Sequence, residues 1–265
     1  MAAPGVTPPA GPRLVLLGAS NLSRGLPRLV AEARGRAGTG VDCFVAAGHG
    51  RSYGATSRVG WRRLPSILGC GLWRALDRLP ADGRAPLALV TDVGNDLLYG
   101  FAPDQVAAWV ATAVGRLQAL GGRVVVTHLP MASIAGIGPL RFRGLRACYV
   151  PGCRLTLPEV KAAAAALDER LAALAREVGV TILEAPGEWY GFDAIHVRRR
   201  RLDELWHRVH AAWGIAEPER RRRATVGEWM RIGSAAAEVR VLAGRLRLRP
   251  QPALALADGS RVWLY

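Results

Sequence analysis

Aliphatic runs alternate with longer amphipathic stretches along most of this chain. The runs "RLVLLG" (13–18), "VDCFVAA" (41–47), "PLALVTDVG" (86–94), "RVVVTHL" (123–129) and "VTILEA" (180–185) are short, continuous and rich in Val, Leu and Ile. Strands buried on both faces read this way. Between them, helical candidates lie at about 22–37, 61–79, 103–120, 158–178 and 199–213. The fourth has a defined start: Thr156 with Glu159 three residues on forms a capping box, and Pro158 stands in the first turn. This rhythm predicts an α/β fold, a five-stranded parallel sheet with helices on both faces.

Three regions break the rhythm. Residues 1–12 are rich in Pro and Gly and are expected to be a disordered tail. Residues 130–157 are too long for a plain connection; they follow a strand end, where α/β proteins place their sites, and are expected to shape a pocket. Beyond about Arg220, short alternating pieces such as "EVRVLAG", "RLRLRP" and "SRVWLY" predict a small antiparallel β appendage. The division expected is a tail (1–12), an α/β domain (13–215) and a β-rich extension (216–265).

Composition narrows the class. A chain of 265 residues, 50% hydrophobic, can bury a full core. No secretory signal is visible at the N-terminus. The longest charge-free stretch, 124–140, is broken by His128, Pro130, Gly136 and Pro139, against a membrane span. A cytoplasmic location is the expectation. Cys43, Cys70, Cys148 and Cys153 form neither a metal nor a redox spacing and read as small buried hydrophobes. Neither a metal nor an organic cofactor is called for. The net charge is +15, and Lys161 is the only lysine beside 35 arginines. With abundant Ala and Gly, that looks like the codon usage of a GC-rich, bacterial genome. Codon usage does not explain why only 21 acids oppose the arginines, so a surface attractive to anions is expected. No nucleic-acid recognition motif accompanies the charge.

The candidate chemistry sits at strand ends. Ser20 follows the first strand, where a helix N-terminus would stabilise an anion. On this stretch alone a helix N-cap is the more ordinary reading of that residue, and a nucleophile the sharper one. It is not the Gly-x-Ser-x-Gly elbow, since Leu22 follows it. "AAGHGRSYG" (46–54) follows the second strand and offers backbone N–H groups in a glycine loop. "TDVGNDLLYG" (91–100) delivers Asn95, an amide able to donate to an oxyanion. "EWYGFDAIHV" (188–197) carries Asp193 and His196, spaced so that the carboxylate can hold one imidazole nitrogen while the other faces outward. His49, Tyr53 and Trp189 are candidate substrate-lining residues, with Tyr190 and Phe192 beside them. His128 reads as structural, and His207 and His210 lie three apart on the last helix without an acidic motif. Arg198–Arg201 start two residues after His196 and a second run spans Arg220–Arg223; such runs usually mean a solvated helix face or linker, and the sharper reading of the first is a site mouth that favours anionic substrates.

Taken together, "GAS" with Ser20, the glycines of "GHGRS", "GND" with Asn95 and "DAIH" with Asp193 and His196 resemble, in order, the four blocks of the SGNH (GDSL-type) hydrolases. The resemblance spans residues 14 to about 213. It implies a flavodoxin-like three-layer α/β/α fold with Ser20 as nucleophile, His196 as base and Asp193 as its orienter. It also implies an oxyanion hole from the Ser20 N–H, Gly50 (or Gly48) and Asn95. One position departs: Ala19 stands where the family usually has the Asp of Gly-Asp-Ser, a residue that buttresses the nucleophile loop. The function expected is a serine esterase acting on a small-molecule ester through an acyl-enzyme. An acyltransferase with the same triad and a non-catalytic anion-binding module are the alternatives. Oligomeric state is not legible.

Overall fold

The structure, a computed structural model, describes residues 11–37, 40–218 and 222–265. Residues 1–10 of the expected tail, and Arg220 and Arg221, lie outside the described residues. In chain order the elements are β1 (Arg13–Leu17), α1 (Ser20–Ala37), β2 (Asp42–Ala46), β3 (Ser57–Val59), β4 (Arg62–Leu64), α2 (Leu72–Asp77) and β5 (Leu87–Val90). Then come α3 (Asn95–Leu98), α4 (Pro103–Ala119), β6 (Arg123–Thr127), α5 (Met131–Ala135), α6 (Pro139–Tyr149), α7 (Leu157–Val178) and β7 (Thr181–Leu183). The chain closes with α8 (Leu202–Ala212), α9 (Val226–Ser234), β8 (Val239–Leu242), β9 (Arg245–Leu248), β10 (Leu254–Ala255) and β11 (Arg261–Leu264).

The five expected strands pair in parallel in the order β2-β1-β5-β6-β7. Every residue of β1 is buried because the sheet is covered twice. Val15 and Leu17 face one core, with Val110 and Leu117 of α4 and Leu167 of α7. Leu14 and Leu16 face the other, with Leu29 of α1 and Trp206 of α8. Alternation across a strand buried on both faces requires this continuous apolar pattern. Gly25 lets α1 and α8 meet: a Cβ there would come 2.3 Å from the Trp206 ring. The capping box at Thr156 forms as the sequence predicts.

Three expectations need correction. Residues 61–79 are not one helix. Pro65, Gly69 and Gly71 interrupt it, so β3 and β4 form a hairpin and only α2 is helical. The central sheet has seven strands, not five, because β11 adds parallel to β2 and β10 adds antiparallel to β11. The C-terminal segment is therefore not wholly an appendage: β8 and β9 extend the β3–β4 hairpin into a separate four-stranded sheet, while β10 and β11 complete the main one. Thr225 and Glu228 also cap a helix, α9, in this segment. Of the cysteines, Cys43, Cys70 and Cys153 are buried as expected; Cys148 is exposed.

Arg34 of α1 ties these C-terminal pieces to the body. Its guanidinium, 5% exposed, donates to Glu228 of α9 and to Asp258 in the β10–β11 turn. Burial pushes the Glu228 carboxyl up, but hydrogen bonds from Arg34, the Thr225 backbone and Arg222 outweigh it and hold it at about 2. A depressed carboxylate contributes stability that is complete above its unfolded value, 4.5, and is lost as pH falls toward the folded one. The urea midpoint of the wild type should therefore fall more steeply between about pH 5 and about pH 3 than that of Glu228→Gln. Parallel curves would show that this carboxylate is not coupled to folding.

Candidate active site

Parallel strands send all their following loops to one edge of the sheet, and that edge carries the candidate residues. Ser20 is the first residue of α1 and is 7% exposed. Its Oγ lies 2.8 Å from His196 Nε2, and His196 Nδ1 lies 2.6 Å from Asp193 Oδ2. The other Asp193 oxygen accepts the backbone N–H groups of His196 at 2.9 Å and Ile195 at 3.3 Å. The turn that permits this puts Ala194 at φ 61°. Burial raises the Asp193 pKa, but the hydrogen bonds from His196 and Ile195 outweigh it, and the net shift is downward. A carboxylate so held stays charged and fixes the imidazole with its Nε2 toward Ser20.

Whether Ser20 is a cap or a free hydroxyl turns on a residue that the sequence reading passed over. Asp92, just after β5 and at φ 59°, accepts the Ala19 N–H at 2.9 Å and the Leu22 N–H at 3.1 Å through one oxygen. Its other oxygen accepts from Asn21 Nδ2 at 2.7 Å. Asp92 thus satisfies a first-turn amide of α1 that a serine cap would otherwise take. Ala19 itself is fully buried. A carboxylate does hold the serine loop, and it arrives from β5 rather than from position 19. Asn21 extends the link: its Nδ2 also donates to Ile195 O at 2.9 Å, and its Oδ1 accepts from Val197 N at 2.8 Å. These are the neighbours of His196 on both sides.

Asn95 opens the short helix α3 and lines the same cavity as Ser20. Its Nδ2 is buried and has no hydrogen-bond partner among the described residues. An orphaned donor of this kind is costly unless something else pays for it. In the glycine loop, Gly50 has φ 63°, and its carbonyl accepts from Tyr99 Oη at 2.5 Å. Gly48 is buried under Leu64, whose Cδ1 would lie 2.4 Å from an added Cβ. Two buried polar side chains anchor the loop. Arg51 donates to the carbonyls of Ala47, Pro65 and Tyr265. Asp96 accepts the Tyr53 N–H at 2.9 Å.

Other expectations shift. Tyr53 does not line the site: it is fully buried, and its hydroxyl donates to Thr91 O at 2.8 Å, at the end of β5. Trp189 is also buried, in the core on the α1–α8 side, with Arg208 over its ring. His49 sits exposed on the glycine loop, away from the cavity wall. Its pKa is lowered by partial desolvation and then by the charges of Arg62, His196 and Arg24. Arg198–Arg201 do not reach the cavity. Arg198 donates to Tyr190 O, Arg201 pairs with Glu204, and the Arg199 carbonyl accepts from Arg28.

As expected, residues 130–157 shape the pocket. They fold as α5 and α6 and, with α7, wall an apolar cavity of about 130 Å³ that reaches Ser20 and Asn95. His128, read as structural, is on the wall too, with Nδ1 2.9 Å from Asp168 Oδ1. Among the described residues, no group of three His, Cys, Asp or Glu is placed to hold a metal ion, and no helix is long and apolar enough to cross a membrane.

Hydrogen bonds to a charged group are worth about 1.5–3 kcal/mol. Replacing Asp92 by Ala should therefore speed hydrogen exchange of the Ala19 and Leu22 amides by roughly 10–100-fold. Unchanged exchange at both would show that this carboxylate does not hold the serine loop.

No family model matches the sequence, and no curated protein matches it. Solved structures do. Est24, a carbohydrate acetylesterase from Sinorhizobium meliloti, superposes with TM-score 0.51 at 18% identity, over 76% of this chain and 98% of that one. The native aryl esterase of M. smegmatis superposes with TM-score 0.51 at 15% identity, over 78% of this chain and 100% of that one. A GDSL-like lipase from Bacteroides thetaiotaomicron superposes less closely, with TM-score 0.48 at 12% identity, over 77% of this chain and 89% of that one. The central parallel sheet, its two helical layers and the superpositions on Est24 and the aryl esterase give the chain the SGNH hydrolase fold.

Proposed function

We propose that this protein is a serine esterase whose nucleophile is Ser20. The observation that carries the proposal is the unbroken hydrogen-bonded line from Ser20 Oγ through His196 to Asp193. Nucleophile, base and orienting acid need this arrangement, which is recognised by its geometry. In the reaction, His196 Nε2 takes the Ser20 proton as Oγ attacks the ester carbonyl. Asp193 stabilises the imidazolium that forms. The tetrahedral oxyanion takes up the unpartnered Asn95 Nδ2 donor, with the backbone N–H groups of Ser20 and Gly50. Collapse expels the alcohol, protonated by His196, and leaves an acyl-enzyme. Water, deprotonated by the same imidazole, then releases the acid.

The cavity beside Ser20 supports an apolar acyl group. Its walls include Leu97, Ile134, Ile137, Phe142 and Val160. Transfer of such a group into an apolar wall gains about 25 cal/mol per Å² buried. The likeness to the acetylesterase and the aryl esterase is compatible with ester chemistry; the side-chain geometry is what argues for it. An acyltransferase would use the same residues, with an alcohol in place of water.

A fluorophosphonate probe should label Ser20 in the folded wild type and leave Ser20→Ala unlabelled. Turnover of a hexanoyl aryl ester should fall by about 10⁴ or more in Ser20→Ala. In Asn95→Ala it should fall by about 10²–10³, mostly in kcat. An unlabelled wild type, or undiminished turnover in Ser20→Ala, would overturn the proposal. Product analysis with added alcohols decides between hydrolysis and transfer.

A further inference from the structure

The four-stranded sheet β3-β4-β8-β9 gives its charge a definite direction. Residues directly opposite in an antiparallel ladder share a face. Arg62 lies opposite Leu242, Leu242 opposite Arg245, and Arg240 opposite Arg247. Side chains two apart on a strand also share a face, so Arg62, Arg240, Arg245 and Arg247 surround Leu242 on one side of the sheet. The other side carries Val239, Val241, Leu246 and Leu248, with Arg58 opposite Arg63.

The four-arginine face looks onto the glycine loop. Val59 and Leu64, on the same face, would crowd a Cβ on Gly50 and on Gly48 respectively. Arg62 Nη2 reaches to 3.5 Å from the His49 carbonyl. Arg62 and Arg24 both add positive potential at His49. The arginines therefore run outward from the rim beside the imidazole, away from the apolar cavity.

Among the described residues, no carboxylate neutralises them. Neither 57–64 nor 239–249 contains an Asp or Glu. Glu238, the adjoining acid, pairs with Arg74. Among the described residues, none of the four arginines forms an ion pair with a carboxylate. Burial, and then the charge of Arg240, lower the pKa of Arg62. Like charges directly opposite destabilise a sheet, as with Arg240 and Arg247. Arginines on an edge strand commonly block edge pairing, which would account for Arg245 and Arg247 on β9. It does not account for Arg62 and Arg240 on the interior strands β4 and β8.

We infer that this face binds a phosphate group on the alcohol half of the substrate. The inference rests on the esterase reading and adds to it the class of ester: an apolar acyl group joined to a phosphorylated alcohol. Arginine forks match phosphate oxygens in pairs. The acyl group would fill the cavity, and the leaving alcohol would point past His196 toward Arg62 and Arg240. The phosphate could belong to a soluble phosphorylated alcohol or to a lipid headgroup.

The test compares hexanoyl glycerol with hexanoyl glycerol 3-phosphate, both as dissolved monomers. The wild type should favour the phosphate ester by at least about tenfold in kcat/KM at low salt, and less as salt screens it. In Arg240→Gln/Arg247→Gln that preference should fall toward one, through KM. Arg58→Gln/Arg63→Gln removes as much charge from the opposite face and should retain the preference. Inorganic pyrophosphate, measured by calorimetry, should bind the wild type at least about tenfold more tightly than the first double variant. A second arm presents long-chain acyl glycerol phosphate in neutral vesicles. Preference in the monomer arm supports a soluble substrate, and preference confined to vesicles supports a lipid headgroup. Equal turnover of the neutral and phosphorylated esters in both arms would overturn the inference while the esterase reading stands, as would equal loss in the two double variants. Pyrophosphate binding that needs Arg240 and Arg247, in a protein whose Ser20 no probe labels, would keep the anion site and overturn the esterase reading.

Discussion

The candidate site depends on how the first turn of α1 is capped. A helix that begins at the end of a buried strand leaves amides without partners, and a serine in that position ordinarily fills the need itself. Here the Asp92 carboxylate takes the Ala19 and Leu22 amides. The Ser20 hydroxyl is left to the His196 ring. Through Asn21 the same carboxylate is joined to the backbone on either side of His196. Two loops separated by most of the chain are thereby held in one register, and the short Ser20–His196 distance follows from it.

That arrangement needs its neighbours held as firmly. Gly18 allows β1 to end against Thr91, whose Cγ2 would lie 2.7 Å from a Cβ at that position. Tyr53 bridges the ends of β1 and β5 through the carbonyls of Leu17 and Thr91. Arg51 brings β11 into the account by donating to the Tyr265 carbonyl beneath the glycine loop. The C-terminal strands are thus built into the support of the site. One pair completes the central sheet behind the glycine loop, and the other hangs an arginine face in front of it.

The parts of the fold that were legible were those with a strong local period. The five parallel strands and α1, α4 and α7 could be read because burial on both faces, or on one helical stripe, writes itself into the sequence. The stretch 61–79 misled because its apolar residues fit a helical spacing while Pro65 and its glycines forbid the helix. The Thr225–Glu228 capping box was readable in the same way as Thr156–Glu159, but it lay in a segment whose alternating pieces drew attention to strands. Ser20, Asn95, Asp193 and His196 were legible as candidates because each stands in a loop or turn that follows a recognisable strand. Asp92 and Asn21 were not, since a single carboxylate or amide in a loop looks the same whether it meets solvent or three buried donors.

The sequence by itself determined the layer architecture, the strand ends at which chemistry could sit, and the residue types available there. Tertiary structure decided which of those residues touch. It brought Asp92 to the serine loop in place of a carboxylate at position 19, and removed Tyr53 and Trp189 from the cavity into the core. It also turned Arg198–Arg201 away from the cavity and set Arg62 against the His49 carbonyl. The physical reason is that periodicity records burial against a face, a local property. Hydrogen-bond partners and charge placement depend on contacts between residues far apart in the chain, which the sheet order alone brings together.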